Sequence, residues 1–129
     1  MERPIAYRGR RFTIAYAVDN KGHSPGKDFF DALPVQDQAK LMRLFTVLGD
    51  EGRIGNPEKF GNLKEGFHEF KSFQVRMPCR YLPNGVVLIT HGFRKKRDRT
   101  PREEIDRAKR IFEEDQQRAG RAGLRDSSS

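Results

Sequence analysis

"VVLITHGFRKKRDRTPREEIDRAKRI", Val86 to Ile111, is the stretch that decides the fold. Its opening, Val86 to Phe93, is continuously apolar and rich in β-branched residues, and too short for a stable helix. That predicts a central strand covered on both faces. Its close reads as a helix start. Thr100 suits an N-cap, Pro101 the first helical position, and Glu103 the third position of a capping box. Ile105, Ala108, Ile111 and Phe112 then form one apolar stripe. Between strand and helix lies Arg94 to Arg99, with five positive charges and one negative. Both ends of this basic run are therefore fixed by regular structure.

Working upstream, "PNG" (83–85) signals a tight hairpin turn. "QVRMPCRY" (74–81) alternates, with Val75, Met77, Cys79 and Tyr81 inward and Gln74, Arg76, Pro78 and Arg80 outward. Pro78 cannot donate to a ladder, so an edge position or a bulge is expected there. "GFHEFKSF" (66–73) sets His68 and Phe70 on one face and Glu69 and Lys71 on the other. Further back, Val35, Ala39, Met42, Phe45 and Leu48, widened by Leu41 and Leu44, make the clearest helical stripe, ending at Gly49 or Gly52. Ser24-Pro25 starts a shorter helix containing Phe29, Phe30 and Leu33. "RFTIAYAV" (11–18) alternates as a half-buried strand. The expected order is strand, two helices, three antiparallel strands, helix. This is an α+β fold, with a helical hairpin on one sheet face and a cationic face opposite. One domain is expected over 1–117, the last helix fading near Gln117 and a disordered polar tail at 118–129.

Composition narrows the function. The chain has 129 residues, a net charge of +8 and a pI near 10.0, which favours a polyanionic partner. Residues 94–110 hold nine Lys/Arg against four Asp/Glu, more than half of the net charge. One cysteine and three separated histidines speak against a structural zinc, and no cofactor is expected. Gly22/Gly26 and "GRIGNPEKFG" lack phosphate-loop spacing. With no apolar leader and no membrane-length run, a cytoplasmic protein is expected.

The outward residues Glu69, Lys71, Arg76 and Arg80 converge with the basic junction on one face. Phosphate contacts of this type give affinity without sequence readout. RNA cleavage needs a base for the 2′-hydroxyl, an acid for the leaving 5′-oxygen and cations for the phosphorane, and none of these requires a metal. Glu69, His68 and His91 are the candidate bases. Glu69 is equally suited to pairing with Arg76 or Lys71, and both histidines to packing. Cys79 is read as a structural core residue.

"FFDALPVQDQAKLMRLFTVLGDEG", "NLKEGFHEF" and "VVLITHGFRKKRDRTPREEIDRAKRI", in this order, resemble the RelE/ParE/HigB toxin superfamily of type II toxin–antitoxin systems, most of all its HigB-like, phage-associated branch. The resemblance spans roughly residues 10–115. It implies a small microbial-RNase-like α+β fold and metal-independent, ribosome-dependent cleavage of mRNA. It also implies a cognate antitoxin as partner, and no membrane or small-molecule cofactor. Glu69 and Lys71 fall on the family's Glu-x-Arg pair, with Lys in place of Arg. Arg76 falls on the strand arginine that contacts the scissile phosphate. His91, Lys95 and Lys96 match "HGF.KK". The catalytic set this implies is Arg76, Lys71, Glu69, His91 and Lys95, with Arg80, Lys96, Arg94, Arg97 and Arg99 as RNA-binding residues. Two alternatives remain open: a ParE-like inhibitor of DNA gyrase, and a non-catalytic phage binding module on the same fold.

Overall fold

The sheet is organised around the strand at Val86–Ile89. A computed structural model describes residues 2–96 and 100–127, with side chains to Arg121. In chain order the elements are β1 (Ile5–Arg8), β2 (Thr13–Tyr16), α1 (Pro25–Asp31), α2 (Val35–Glu51), β3 (Phe60–Asn62), β4 (His68–Ser72), β5 (Val75–Leu82), β6 (Val86–Ile89), β7 (Phe93–Arg94) and α3 (Arg102–Ser127). Strand order is β1-β2-β6-β5-β4-β3, with β7 continuing along β5. The pairs are antiparallel except β2 with β6, which run parallel. The α+β class and the helical hairpin are as the sequence implied. β1, β3 and β7 are additional strands, and β2/β6 departs from an all-antiparallel sheet.

Period-two alternation divides the sheet cleanly. Ile14, Tyr16, Phe70, Val75, Met77, Cys79, Val87 and Ile89 face α1 and α2, where they meet Leu41, Leu44, Phe45 and Leu48. α2 thus buries its 41/44/45/48 stripe. Val35, expected inward, is 79% exposed, and the buried positions of α2 begin only at Leu41. The helix ends at Gly52 in the left-handed region (φ 80°), a conformation glycine adopts without strain.

The opposite face carries Ala15, Ala17 and Leu88, and these meet Ile111 and Phe112 of α3. The three helices therefore do not share one side. α3 packs against the face expected to be cationic. It is locked there by Asp115, which accepts two hydrogen bonds from Arg3 Nε and one from Nη2, plus the backbone N–H of Val18. α3 also continues to Ser127 and does not stop at Gln117. Ala, Arg and Leu in "RAGRAGLRD" favour helix locally, even where no apolar stripe continues.

Pro78 sits in a central strand and not at an edge. Its carbonyl accepts the Thr90 N–H at 2.9 Å, but Pro78 has no N–H to return. The neighbouring strand breaks at that level: β6 ends at Ile89 and β7 begins at Phe93. The expected eight-residue strand is thus two strands joined at Thr90-His91-Gly92. Gly92 is required here, since a Cβ would lie 2.2 Å from the Phe29 ring that packs α1 onto the break.

Candidate functional site

The β4–β5 hairpin builds the site. Its register pairs Glu69 with Pro78 and Lys71 with Arg76, which places Glu69, Lys71 and Arg76 on the α3 side of the sheet. The two linking residues are Phe73 and Gln74, and Phe73 adopts φ 54°. A bulky residue in the left-handed region is rare and strained, and such positions concentrate at functional sites.

Arg76 is 7% exposed. Its Nη1 donates to the carbonyl oxygens of Phe73 (2.6 Å) and Val75 (2.9 Å), so it grips the hairpin turn. Burial lowers the Arg76 pKa, and the nearby negative charge of Glu69 opposes that shift. Glu69, 5% exposed, makes no direct ion pair with Arg76 among the described residues. Instead its Oε1 accepts the Thr100 hydroxyl at 2.8 Å. Lys71 leans away from Arg76, over Gly61, and its Nζ donates to the Pro57 carbonyl at 2.9 Å. The pairing of Glu69 with Lys71 or Arg76 that the sequence left open is therefore replaced by a bond from Thr100, two residues before α3.

His91 lies at the break between β6 and β7 and is completely buried. Its Nε2 is 3.0 Å from Glu104 Oε1 and its Nδ1 is 3.0 Å from Thr90 Oγ1. A carboxylate only accepts, so Nε2 carries the hydrogen and Nδ1 accepts from Thr90. Desolvation, with the charges of Arg107 and Arg110, pulls the His91 pKa from 6.5 to about 3. The short contact with Glu104 is not a charged pair: burial also pushes the Glu104 carboxyl up, so desolvation prevails. His91 is thus a neutral link between the strand break and the first turn of α3.

This has a consequence for acid stability. In the unfolded chain His91 titrates near 6.5, while in the folded protein it stays neutral down to about pH 3. Between those values the unfolded state holds the extra proton. The contribution of His91 is thus complete above pH 6.5 and is lost as pH falls. Wild-type stability should drop by roughly 2 kcal/mol between pH 6.5 and about pH 5 on this account. His91→Gln should flatten that limb, as read from urea midpoints. Glu104, whose raised pKa acts in the opposite direction, is controlled for by repeating the series in Glu104→Gln.

The remaining cations divide into two groups. Arg80 lies beneath α3, its guanidinium 4.9 Å from the Phe112 ring centroid and 5.3 Å from that of Phe67, with Nη1 donating to Glu65 O. That gives it a packing role under the helix. Arg94 is exposed and 3.6 Å from Asp37 of α2. The Lys95 N–H donates to Gln74 O, which ties the basic junction to the hairpin turn, and Lys96 is exposed. Arg97 and Arg99 lie outside the described residues. Cys79 is fully buried and its thiol pKa is pushed well up, so it is an inert core group.

Three contributors escaped the sequence reading. Thr100 read only as a helix N-cap and Glu104 had no role, because their partners Glu69 and His91 lie on other elements. Phe73 read as a strand end. The available signal was its position at a hairpin tip where Gly or Asn would be usual.

Among the described residues, no cluster of three or more His, Cys, Asp or Glu is placed to hold a metal ion. No helix among them is long and apolar enough to cross a membrane. Residues 28–113 match the family model for phage-derived protein Gp49-like (DUF891). No curated protein matches the chain.

Proposed function

Because the chain belongs to the Gp49-like family of phage-derived proteins, a family associated with RelE-like toxins of toxin–antitoxin systems, we propose that it is a HigB-like toxin that cleaves mRNA on the ribosome. The observation that carries this reading is the juxtaposition on one sheet face of a carboxylate, Glu69, and a guanidinium, Arg76, beside a basic junction anchored to the same hairpin.

The Thr100–Glu69 bond suggests how the chemistry would run. An aliphatic hydroxyl donates to Glu69 Oε1 at 2.8 Å, which is the contact an RNA 2′-hydroxyl would make with a general base. Substrate replaces the Thr100 hydroxyl there. Glu69 takes the 2′-proton, the 2′-oxygen attacks phosphorus, and the bond to the 5′-oxygen breaks as that oxygen takes a proton from solvent water. The products are a 2′,3′-cyclic phosphate and a 5′-hydroxyl. Arg76 stabilises the phosphorane charge. Lys71 and Lys95 add positive potential, while Lys96 and Arg94 hold flanking phosphates. His91 acts through Glu104 by positioning the first turn of α3. A cognate antitoxin and ribosome-bound mRNA are the partners this reading requires.

A second reading rests on the burial of Glu69, Arg76 and His91: a binding module that retains the face but performs no cleavage. Expression in a bacterial host, with and without the neighbouring antitoxin gene, separates these readings when mRNA 5′ ends are mapped. Codon-registered cleavage relieved by the antitoxin is expected. Growth arrest with intact mRNA and DNA damage would indicate a gyrase poison, and no toxicity a binding module.

A further inference from the structure

Phe73 is 75% exposed, and as a non-glycine residue at φ 54° it is held in a conformation that L side chains rarely adopt. An exposed aromatic alone is ordinary. Here two costs fall on one residue, since the strain brings no burial in return. Glycine would relieve both, yet the hairpin presents a phenyl ring. The turn is also actively held: Arg76 Nη1 clamps the Phe73 carbonyl at 2.6 Å, and Lys95 N–H bonds the adjacent Gln74 carbonyl at 2.8 Å. Lys40 Nζ lies 4.0 Å from the ring centroid, which leaves the other ring face to solvent. The ring therefore projects over Lys40 of α2 from the tip of the hairpin that carries Arg76 and Glu69, while the basic junction bonds the backbone of the next residue, Gln74.

We propose that Phe73 is a nucleobase-stacking platform, which seats one base of single-stranded RNA while the cations beside it hold the backbone. Stacking on an aromatic ring is sequence-tolerant because every base has a π-face, and cations at the ring edge add phosphate affinity. Since the same guanidinium grips the turn and faces the scissile phosphate in the reading above, a stacked base fixes the distance from base to phosphate. The platform rests on the RNA-directed reading of the site but does not depend on cleavage.

The chain has no Trp, so Phe73→Trp installs a single fluorescent reporter at the site. The probe is a 2′-O-methyl oligoribonucleotide, which binds without offering a 2′-hydroxyl, compared with an abasic oligomer of equal charge. The tryptophan should be quenched saturably by the first and little by the second. Phe73→Gly should bind the oligoribonucleotide roughly tenfold more weakly, within the range for loss of one stacked base. It should at the same time melt at a higher temperature, because the strain is gone. A purely structural role predicts the opposite change in melting. Equal quenching by both oligomers, unchanged affinity in Phe73→Gly, no binding by wild type, or a response to a polyglutamate peptide in place of RNA would each overturn the proposal. Base-dependent quenching in a protein that leaves mRNA intact on the ribosome would keep the platform and overturn only the nuclease reading.

Discussion

On the proposed reading, Arg76→Ala should lower mRNA cleavage by about 10²–10³-fold, the loss typical when a group that stabilises transition-state charge is removed. The protein nevertheless stays folded. Arg76 satisfies the Phe73 and Val75 carbonyl oxygens, and leaving such acceptors without a partner costs about 1–3 kcal/mol. Against a usual total of about 5–15 kcal/mol, that weakens the domain without unfolding it. Arg76→Lys tests the chemistry more finely. It keeps the charge but loses the planar fork that holds the turn and a phosphate together, so its activity should fall between wild type and alanine. Cleavage rates compared at matched folded fraction, set from urea unfolding curves, check both variants. Wild-type cleavage by Arg76→Ala would remove the arginine from the site.

Asp115→Ala should be the most damaging single change to stability outside the apolar core. The carboxylate is 1% exposed and serves Arg3 and the Val18 N–H at once. Removing one partner of a buried pair strands the other, and here it also leaves a buried backbone donor unsatisfied. Arg3 still reaches solvent at the rim, which places the cost at about 3 kcal/mol, toward the lower end for such pairs. For a domain of this size the melting temperature should fall by on the order of 10 °C. Arg3→Ala should cost less, because Val18 keeps its acceptor. The double variant should cost less than the sum of the two, since both remove the same pair. Additive effects in that cycle would show that Asp115 acts without Arg3, through Val18 and Gln116.

Which parts of this architecture can be read from the chain follows from how local each cause is. The β4–β5 hairpin was legible because Phe70, Val75 and Met77 fix the alternation, so Glu69, Lys71 and Arg76 must face the other way. α2 was legible as a helix but not in rotation: the stripe read from sequence includes Val35 and Ala39, which are exposed, and only contact with the sheet selects 41/44/45/48, with Met42 at its margin. β1, β3 and β7 have two to four residues each, too few for a period to declare itself. The landing of α3 on the second face was hidden for a different reason. It depends on Arg3, Val18 and Asp115 meeting from three distant parts of the chain. The burial of Glu69 beneath Thr100, and of His91 against Glu104, follows from that landing. The cationic face was thus correctly located, while its closure by α3 was not visible from charge or spacing.

The most direct test adds purified protein to ribosomes programmed with a defined mRNA and maps the ends of the RNA fragments. Cleavage should occur within the translated codon, only with ribosomes present and in EDTA-treated protein as in untreated. It should leave a 2′,3′-cyclic phosphate and a 5′-hydroxyl, and be lost in Glu69→Gln as in Arg76→Ala. Intact mRNA under these conditions, or cleavage that persists in both variants, would contradict the assignment of this sheet face as a ribonuclease site.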